Sequence, residues 1–270
     1  MTNDSGDSGD EERRASDEQQ SRGLLSGTVS PFRHLRRFWG RLPSQPRCKS
    51  CTRPFGGVGG AVMRGIGLGP WPMNPKYCSG CFRSIAKHRS GAEIECSLLF
   101  ADVRESTPLA ESLGPAQFRA LMDRFFQTAS EVLIERDAIV DKLKGDEVFA
   151  IFVPALAGEL HAQRAIEAGR KLLTVTGNDT PDPWLPVGGG VNTGVAYVGT
   201  VGEGEMVEMT ALGDPVNVAA RLASAAGAGE LLVTDAAVAA AHLSDAGLEH
   251  RSLALKGKTE RTDVVVLGPS

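Results

Sequence analysis

The sequence predicts an α+β fold, with helices packed on a largely antiparallel sheet, preceded by a small cysteine-rich module. Three observations predict it. From about residue 92 to 268, apolar runs of strand length alternate with helically spaced ones. Tight hairpins are mixed with longer crossovers, which suits a sheet with helices on it better than a sandwich. Four of the five cysteines form two Cys-x-x-Cys pairs outside that pattern, Cys48 with Cys51 and Cys78 with Cys81.

Composition narrows the class. The 270 residues are enough for one substantial domain with additions. At 41% hydrophobic and a net charge of -4, the chain has the composition of an ordinary soluble protein. It holds no run of eighteen apolar residues, so no transmembrane helix is expected. The polar start is unlike a signal peptide. Cysteines without an export signal imply a reducing, cytoplasmic setting, where paired Cys-x-x-Cys reads as metal binding before disulfide.

Residues 1–30, rich in Ser, Gly, Asp, Glu and Gln, read as a disordered acidic tail. Residues 31–47 form a basic linker segment with Arg33, Arg36, Arg37, Arg41 and Arg47 among Phe32, Leu35, Phe38 and Trp39. Such a segment suits acidic lipid or nucleic acid, or a linker helix packing its aromatics on the next module. Its short length favours the linker. With a negative net charge and no basic aromatic face elsewhere, nucleic acid is not an expected partner.

Residues 48–91 form the cysteine module and its linker. Each Cys-x-x-Cys bites one ion from a tight turn, and two pairs complete a tetrahedral thiolate site. Structural zinc is the first expectation and an iron–sulfur cluster the second. The 26 residues between Cys51 and Cys78 exceed common zinc-ribbon spacing. Glycines 56, 57, 59, 60, 65, 67 and 69 follow no strand, so they are not a phosphate loop. Cys96, alone on an apolar strand, reads as core.

The domain over 92–268 opens with strand 96–103, then helices near 106–113 and 115–135 separated by Gly114-Pro115. A hairpin follows, 138–144 and 147–153, then a helix near 156–175. After a Pro-rich loop come strands 187–195 and 196–210, and a helix opening at Asp214-Pro215. Strand 230–234, a short Ala-rich helix and strands near 248–256 and 262–267 close the domain. The hairpin turns at Gly145, and Asp146 projects from its tip. Asp102 ends the first strand. Alone, each Asp is an ordinary turn or capping residue. Together, at rigid strand ends beside a helix start, they suit two divalent cations and a polyphosphate. Asn217 and Arg221, four apart, share a helix face.

Phe100-Ala-Asp-Val, Lys142-x-x-Gly-Asp and Leu212-Gly-Asp-x-Val-Asn-Val-Ala-x-Arg resemble, in order and spacing, the class III adenylyl and guanylyl cyclase domains. The resemblance covers about 92–268. It implies a ferredoxin-like, palm-like domain that converts ATP to cyclic AMP and pyrophosphate as a homodimer with shared sites. It further implies that Asp102, Val103 and Asp146 hold two Mg2+ or Mn2+ ions. Asn217 would orient the ribose, Arg221 would stabilise the phosphorane, and Lys256 would meet the triphosphate. Lys142 and Thr210 would read the base, Lys142 donating to adenine where guanylyl cyclases carry Glu. Family members often have Gly and Phe where Glu105 and Ser106 stand, a change expected to alter loop shape more than chemistry. The rivals are a guanylate cyclase, a diguanylate cyclase, suggested by Gly145-Asp146-Glu147 with Phe149, and a non-enzymatic cyclase-like sensor. The diguanylate family is not expected to carry the Asn217–Arg221 helix.

Overall fold

The structure is a computed structural model and describes residues 7–26, 39, 46–49, 51–86, 91–201 and 208–270. Its contacts divide the chain into two units, Met1–Ile94 with Tyr197–Ala211, and Glu95–Ala196 with Leu212–Ser270.

The first unit begins with helix α1 (Asp7–Leu25), where the composition predicted a disordered acidic tail. The stretch is rich in helix formers, Glu18 and Arg22 pair at i,i+4, and Ser21, Leu24 and Leu25 are buried. Apart from Trp39, Pro46 and Arg47, the basic segment 31–47 lies outside the described residues. The glycine-rich stretch forms a helix, α2 (Gly57–Gly65). Gly60 lies so close to Phe55 that an added Cβ would fall 2.1 Å from its carbonyl oxygen. A small hairpin of β1 (Pro70–Trp71) and β2 (Asn74–Cys78) leads into α3 (Ser79–Ala86). Phe55, Met63, Tyr77 and Phe82 are buried in this unit, as are the four cysteines of the two pairs.

The sheet of the second unit is built on β3 (Ala92–Val103), whose first residues belong to the first unit. Helix α4 (Ser106–Glu135) runs on through a kink at Gly114, φ +73°, with Pro115 restarting the helical path. The hairpin is β4 (Ile139–Lys144) and β5 (Glu147–Phe152), turning at Gly145, φ +67°. The helix expected near 156–175 is two, α5 (Pro154–Ala157) and α6 (His161–Val175). Gly158, at φ +72°, breaks the path between them. One strand, β6 (Val187–Val201), replaces the expected pair 187–195 and 196–210, and β7 (Glu208–Leu212) pairs with it. The chain then forms α7 (Asp214–Ala225), β8 (Leu231–Thr234), α8 (Asp235–Ala240), β9 (Glu249–Leu253) and β10 (Thr262–Leu267).

The strand order is β4-β5-β3-β6-β8-β10-β9. β4–β5, β3–β5, β8–β10 and β9–β10 are antiparallel, and β6–β8 is parallel. This is the α+β arrangement that the sequence predicts. β3 reads as a nearly continuous apolar run because it lies inside the sheet, with Leu98, Leu99 and Cys96 fully buried. Phe125 and Leu133 of α4 and Leu172 and Leu173 of α6 pack on Phe152 and its neighbours.

Candidate active site

Strand register creates the site. β3 and β5 pair with Asp102 opposite Glu147, so β3 ends level with the turn that carries Asp146. The amide of Val103 donates to the carbonyl oxygen of Asp146 at 3.1 Å, which fixes the strand end against the turn. Asp102 and Asp146 are therefore held at one corner. The carboxylates crowd one another. Burial pushes the pKa of Asp102 up against the pull of Arg104, and nearby Asp146 pushes it further. Burial likewise raises Glu147, and Asp102 and Asp146 add to the rise, with Lys142 opposing. Partly buried carboxylates at raised pKa, clustered at rigid termini, form a place that a cation would stabilise.

Two residues beside this corner have roles that the motif reading did not assign. Arg104 Nη2 lies 2.5 Å from Asp102 Oδ2, with both side chains about one-fifth exposed. Its Nη1 donates to the carbonyl oxygens of Ser224 and Ala226, each at 3.2 Å, at the C-terminal end of α7. Arg104 thus ties the carboxylate corner to the helix that carries Asn217 and Arg221. Ser106 is the second. Its hydroxyl donates to Asp146 Oδ2. Glu105, where relatives often carry Gly, sits in the left-handed region at φ +54° and ψ +34°. The backbone keeps a conformation that glycine adopts freely, and the exchange of Phe for Ser places a donor on a candidate ligand. The departure therefore falls on chemistry as well as on loop shape.

Helix α7 lies directly on β6. A Cβ at Gly190 would fall 2.5 Å from the Ala223 nitrogen and 2.6 Å from the Ala219 oxygen, so only glycine allows this approach. Asn192 Nδ2 donates to the Pro215 carbonyl oxygen at 3.0 Å, and Thr234 Oγ1 donates to Asn192 Oδ1 at 2.8 Å. With Val218 and Leu222 turned into the core, Asn217 is exposed and Arg221 half-buried. The Arg221 guanidinium lies beside Gly257, where a Cβ would meet Nη2 at 3.3 Å. The Lys256-Gly-Lys258 turn therefore adjoins α7. Lys258 Nζ pairs with Asp214 Oδ2 at 2.5 Å, and Lys256 is exposed. A groove of about 400 Å³ opens at the start of α7 beside Asp214, Lys258 and Arg261, and none of Asp102, Asp146, Asn217 or Arg221 lines it. Lys142 is exposed on edge strand β4, opposite Phe149. Thr210 is buried on β7 in the first unit, its hydroxyl 3.5 Å from the Ala211 carbonyl oxygen.

A second constellation lies in the first unit. The sulfurs of Cys48, Cys51, Cys78 and Cys81 are all buried and within 4.8 Å of one another, a set that could hold a metal ion. Hydrogen bonding with Cys51 above all draws the Cys48 thiol down to about 7. Cys78 is drawn down too, chiefly by Cys48, while Cys48 pushes Cys51 and Cys81 up. Cys96 stands apart, its thiol pushed up to about 12 by burial, as a core residue.

Residues 89–268 match the model of the adenylate and guanylate cyclase catalytic domain. The chain belongs to this family, the class III nucleotide cyclases. It is 31% identical to adenylate cyclase 1 of Rhizobium meliloti over 134 residues, 47% of this chain and 20% of that protein. It is 33% identical to an uncharacterised protein of Mycobacterium tuberculosis over 153 residues, 56% of this chain and 28% of the relative. These alignments span between a fifth and a third of the curated relatives' length. Among solved structures, the adenylyl cyclase CyaB from P. aeruginosa superposes with a TM-score of 0.56 at 26% identity, covering 65% of this chain and 94% of that one. The guanylyl cyclase Cya2 shares the fold, with a TM-score of 0.59 at 23% identity, covering 67% and 95%. No helix among the described residues is long and apolar enough to cross a membrane.

Proposed function

We propose that this cyclase domain converts ATP to 3′,5′-cyclic AMP and pyrophosphate, as a two-fold homodimer with sites shared between chains, in a reducing, cytoplasmic compartment. The observation that carries the reading is the meeting of Asp102 and Asp146 at one corner, in a chain of this family. ATP is favoured over GTP by Lys142 at the base-reading position, and by the likeness to adenylate cyclase 1 of Rhizobium meliloti. A lysine ammonium donates to adenine N1, whereas the same edge of guanine presents a donor. The Thr210 hydroxyl can accept from adenine N6.

In the reaction the ribose 3′-oxygen bonds to the α-phosphorus as the bond to the β-bridging oxygen breaks. Pyrophosphate leaves with that electron pair, and the hydroxyl proton passes to solvent. Asp102, Asp146 and the backbone of Val103 would hold two divalent cations. Such ions acidify the attacking hydroxyl and neutralise the triphosphate. The protein's part is to hold these groups still. Val103 N–H and Ser106 Oγ–H fix the Asp146 turn. The fork of Arg221 suits the oxygens that gain charge at the α-phosphorus, and Asn217 one turn earlier suits the ribose. With Lys258 engaged by Asp214, Lys256 is the better partner for the triphosphate. One chain carries both the carboxylate corner and α7, so a symmetric pair would form two complete sites.

The test is incubation of the purified chain with ATP or GTP and Mg2+ or Mn2+, with nucleotide products identified. Cyclic AMP from ATP supports the reading. Cyclic GMP from GTP alone, a dinucleotide, or no product from a folded dimer with either metal overturns it.

A further inference from the structure

We propose that residues 48–81 form a mononuclear zinc tetrathiolate site in which Arg53 is a fixed outer partner of the Cys78 sulfur. The sulfur spacing carries the first half. A zinc–sulfur bond of about 2.3 Å gives a tetrahedron whose edge, 1.63 times the bond, is about 3.8 Å. Cys48 Sγ and Cys81 Sγ are 3.9 Å apart, and Cys51 Sγ and Cys78 Sγ are 3.6 Å apart. An iron–sulfur cluster distributes its thiolates over two or more irons, so sulfurs on different irons stand apart by the bridged core between them. All four sulfurs here lie within 4.8 Å of one another, which leaves room for one ion and none for a cluster.

The ligand-bearing backbone is built for thiolates. The Cys48–Cys51 pair is closed by the Thr52 amide donating to the Cys48 carbonyl oxygen at 2.9 Å, with Thr52 left-handed at φ +60°. The second pair runs from the end of β2 into the first turn of α3. There the Cys81 amide donates to Cys78 Sγ at 3.3 Å, and the Cys78 amide donates to Cys48 Sγ at 3.2 Å. Once the four thiols have given their protons to solvent, the zinc complex carries two net negative charges. These buried charges need donors.

Arg53 supplies the positive one. Its Nη1 donates to Cys78 Sγ at 3.2 Å, and its guanidinium carbon lies 5.8 Å from the Trp39 ring centroid. Space for it is reserved. A Cβ at Gly80 would fall 2.6 Å from Arg53 Nη1 and 2.8 Å from Leu68 Cδ2, so the glycine between the two ligands is where the guanidinium passes. Arg53 is accordingly a positioning residue, and alanine at position 80 would displace it without touching a ligand.

The experiment uses the full chain. Metal content is measured by elemental analysis with acid-labile sulfide, and zinc release to excess chelator is timed with a colorimetric indicator. One zinc per chain, no labile sulfide, and loss of zinc in Cys51→Ser and Cys78→Ser are expected. Iron with sulfide, or a metal-free chain with four titratable thiols after purification under reducing conditions, overturns the site. Arg53→Ala and Gly80→Ala should keep the stoichiometry but bind zinc more weakly by about 10- to 100-fold, the usual effect of an outer partner. Arg53→Lys should fall between. Wild-type affinity and release in both Arg53→Ala and Gly80→Ala overturn the role of Arg53 and leave the ligand set standing. Because every readout is the metal itself, the outcome is independent of whether the catalytic domain uses ATP.

Discussion

Arg104→Ala should separate stability from metal affinity, moving them in opposite directions. The side chain makes a charge-assisted contact with Asp102 at 2.5 Å and two hydrogen bonds to the end of α7 at 3.2 Å. Charged hydrogen bonds contribute about 1.5–3 kcal/mol each when shielded, and partial exposure reduces that. A total loss of about 3 kcal/mol is expected, because two helix-terminal carbonyls and a crowded carboxylate lose their donor. For a chain of this size that lowers Tm by about 6–12 °C. The metal responds the other way. In the wild type an ion must draw Asp102 away from a guanidinium, at a cost of about 1.5 kcal/mol. Without Arg104 that cost vanishes, and apparent affinity for Mn2+ should improve by about tenfold. The assay is thermal unfolding of both proteins, with and without Mn2+ plus a dideoxy-ATP that cannot cyclise. The variant should start lower and gain more on addition, by about 3–5 °C beyond the wild-type gain. If its gain equals or falls below that of wild type, Arg104 does not compete for Asp102 and the reasoning fails.

Three further outcomes follow from the geometry. Lys142→Glu should lower ATP kcat/KM by about 10- to 100-fold with little change in Tm, since the side chain is exposed on an edge strand; unaltered ATP kinetics would remove Lys142 from base reading. Asp102→Ala chains and Asn217→Ala/Arg221→Ala chains should each be inactive, yet an equal mixture with free exchange should recover about a quarter of wild-type turnover, because half the dimers are mixed and half their sites carry neither change; a mixture that stays inactive, with folding and exchange verified, refutes shared sites. His161 is buried at the first residue of α6, with Nδ1 2.9 Å from Ser97 Oγ and Nε2 4.0 Å from Glu95. Burial lowers its pKa below 6.5 despite Glu95. The unfolded chain therefore binds the extra proton first, so its contribution is full above about pH 6.5 and is lost as pH falls below that value. Denaturant midpoints at about pH 5.5 and pH 7.5 should differ more in wild type than in His161→Gln, and an equal difference would refute the linkage.

What could be read from the sequence was what is local. The β4–β5 hairpin was legible because an apolar-polar run enters, and a second apolar run leaves, a turn at a glycine of positive φ. Asp146 was legible because it stands one residue after that glycine. The paired cysteines were legible because each pair closes within one turn. Helix α1 was not, because its acidic, polar composition matches a disordered tail and its anchoring apolar residues come only at Leu24 and Leu25. The role of Arg53 was hidden as well, since it depends on the empty space at Gly80.

Arg104 makes the limit plain. It stands two residues from Asp102, yet what it does is set by the carbonyls of Ser224 and Ala226, 120 and 122 residues away. Backbone acceptors leave no mark on residue type, so no spacing rule can find them. The close packing of α7 and its C-terminal end on Gly190 and Gly188 of β6 brings that helix end to the carboxylate corner. The same contact gives the domain a physical link between the Asp102–Asp146 corner and the helix of Asn217 and Arg221, the two sets of residues proposed to build the site. In a symmetric dimer with shared sites, the corner and the helix joined by Arg104 serve different sites. A cation that drew Asp102 from Arg104 at one such site would act on the residue that holds the end of α7 at the other, a coupling that metal titration of the dimer would read as departure from independent filling.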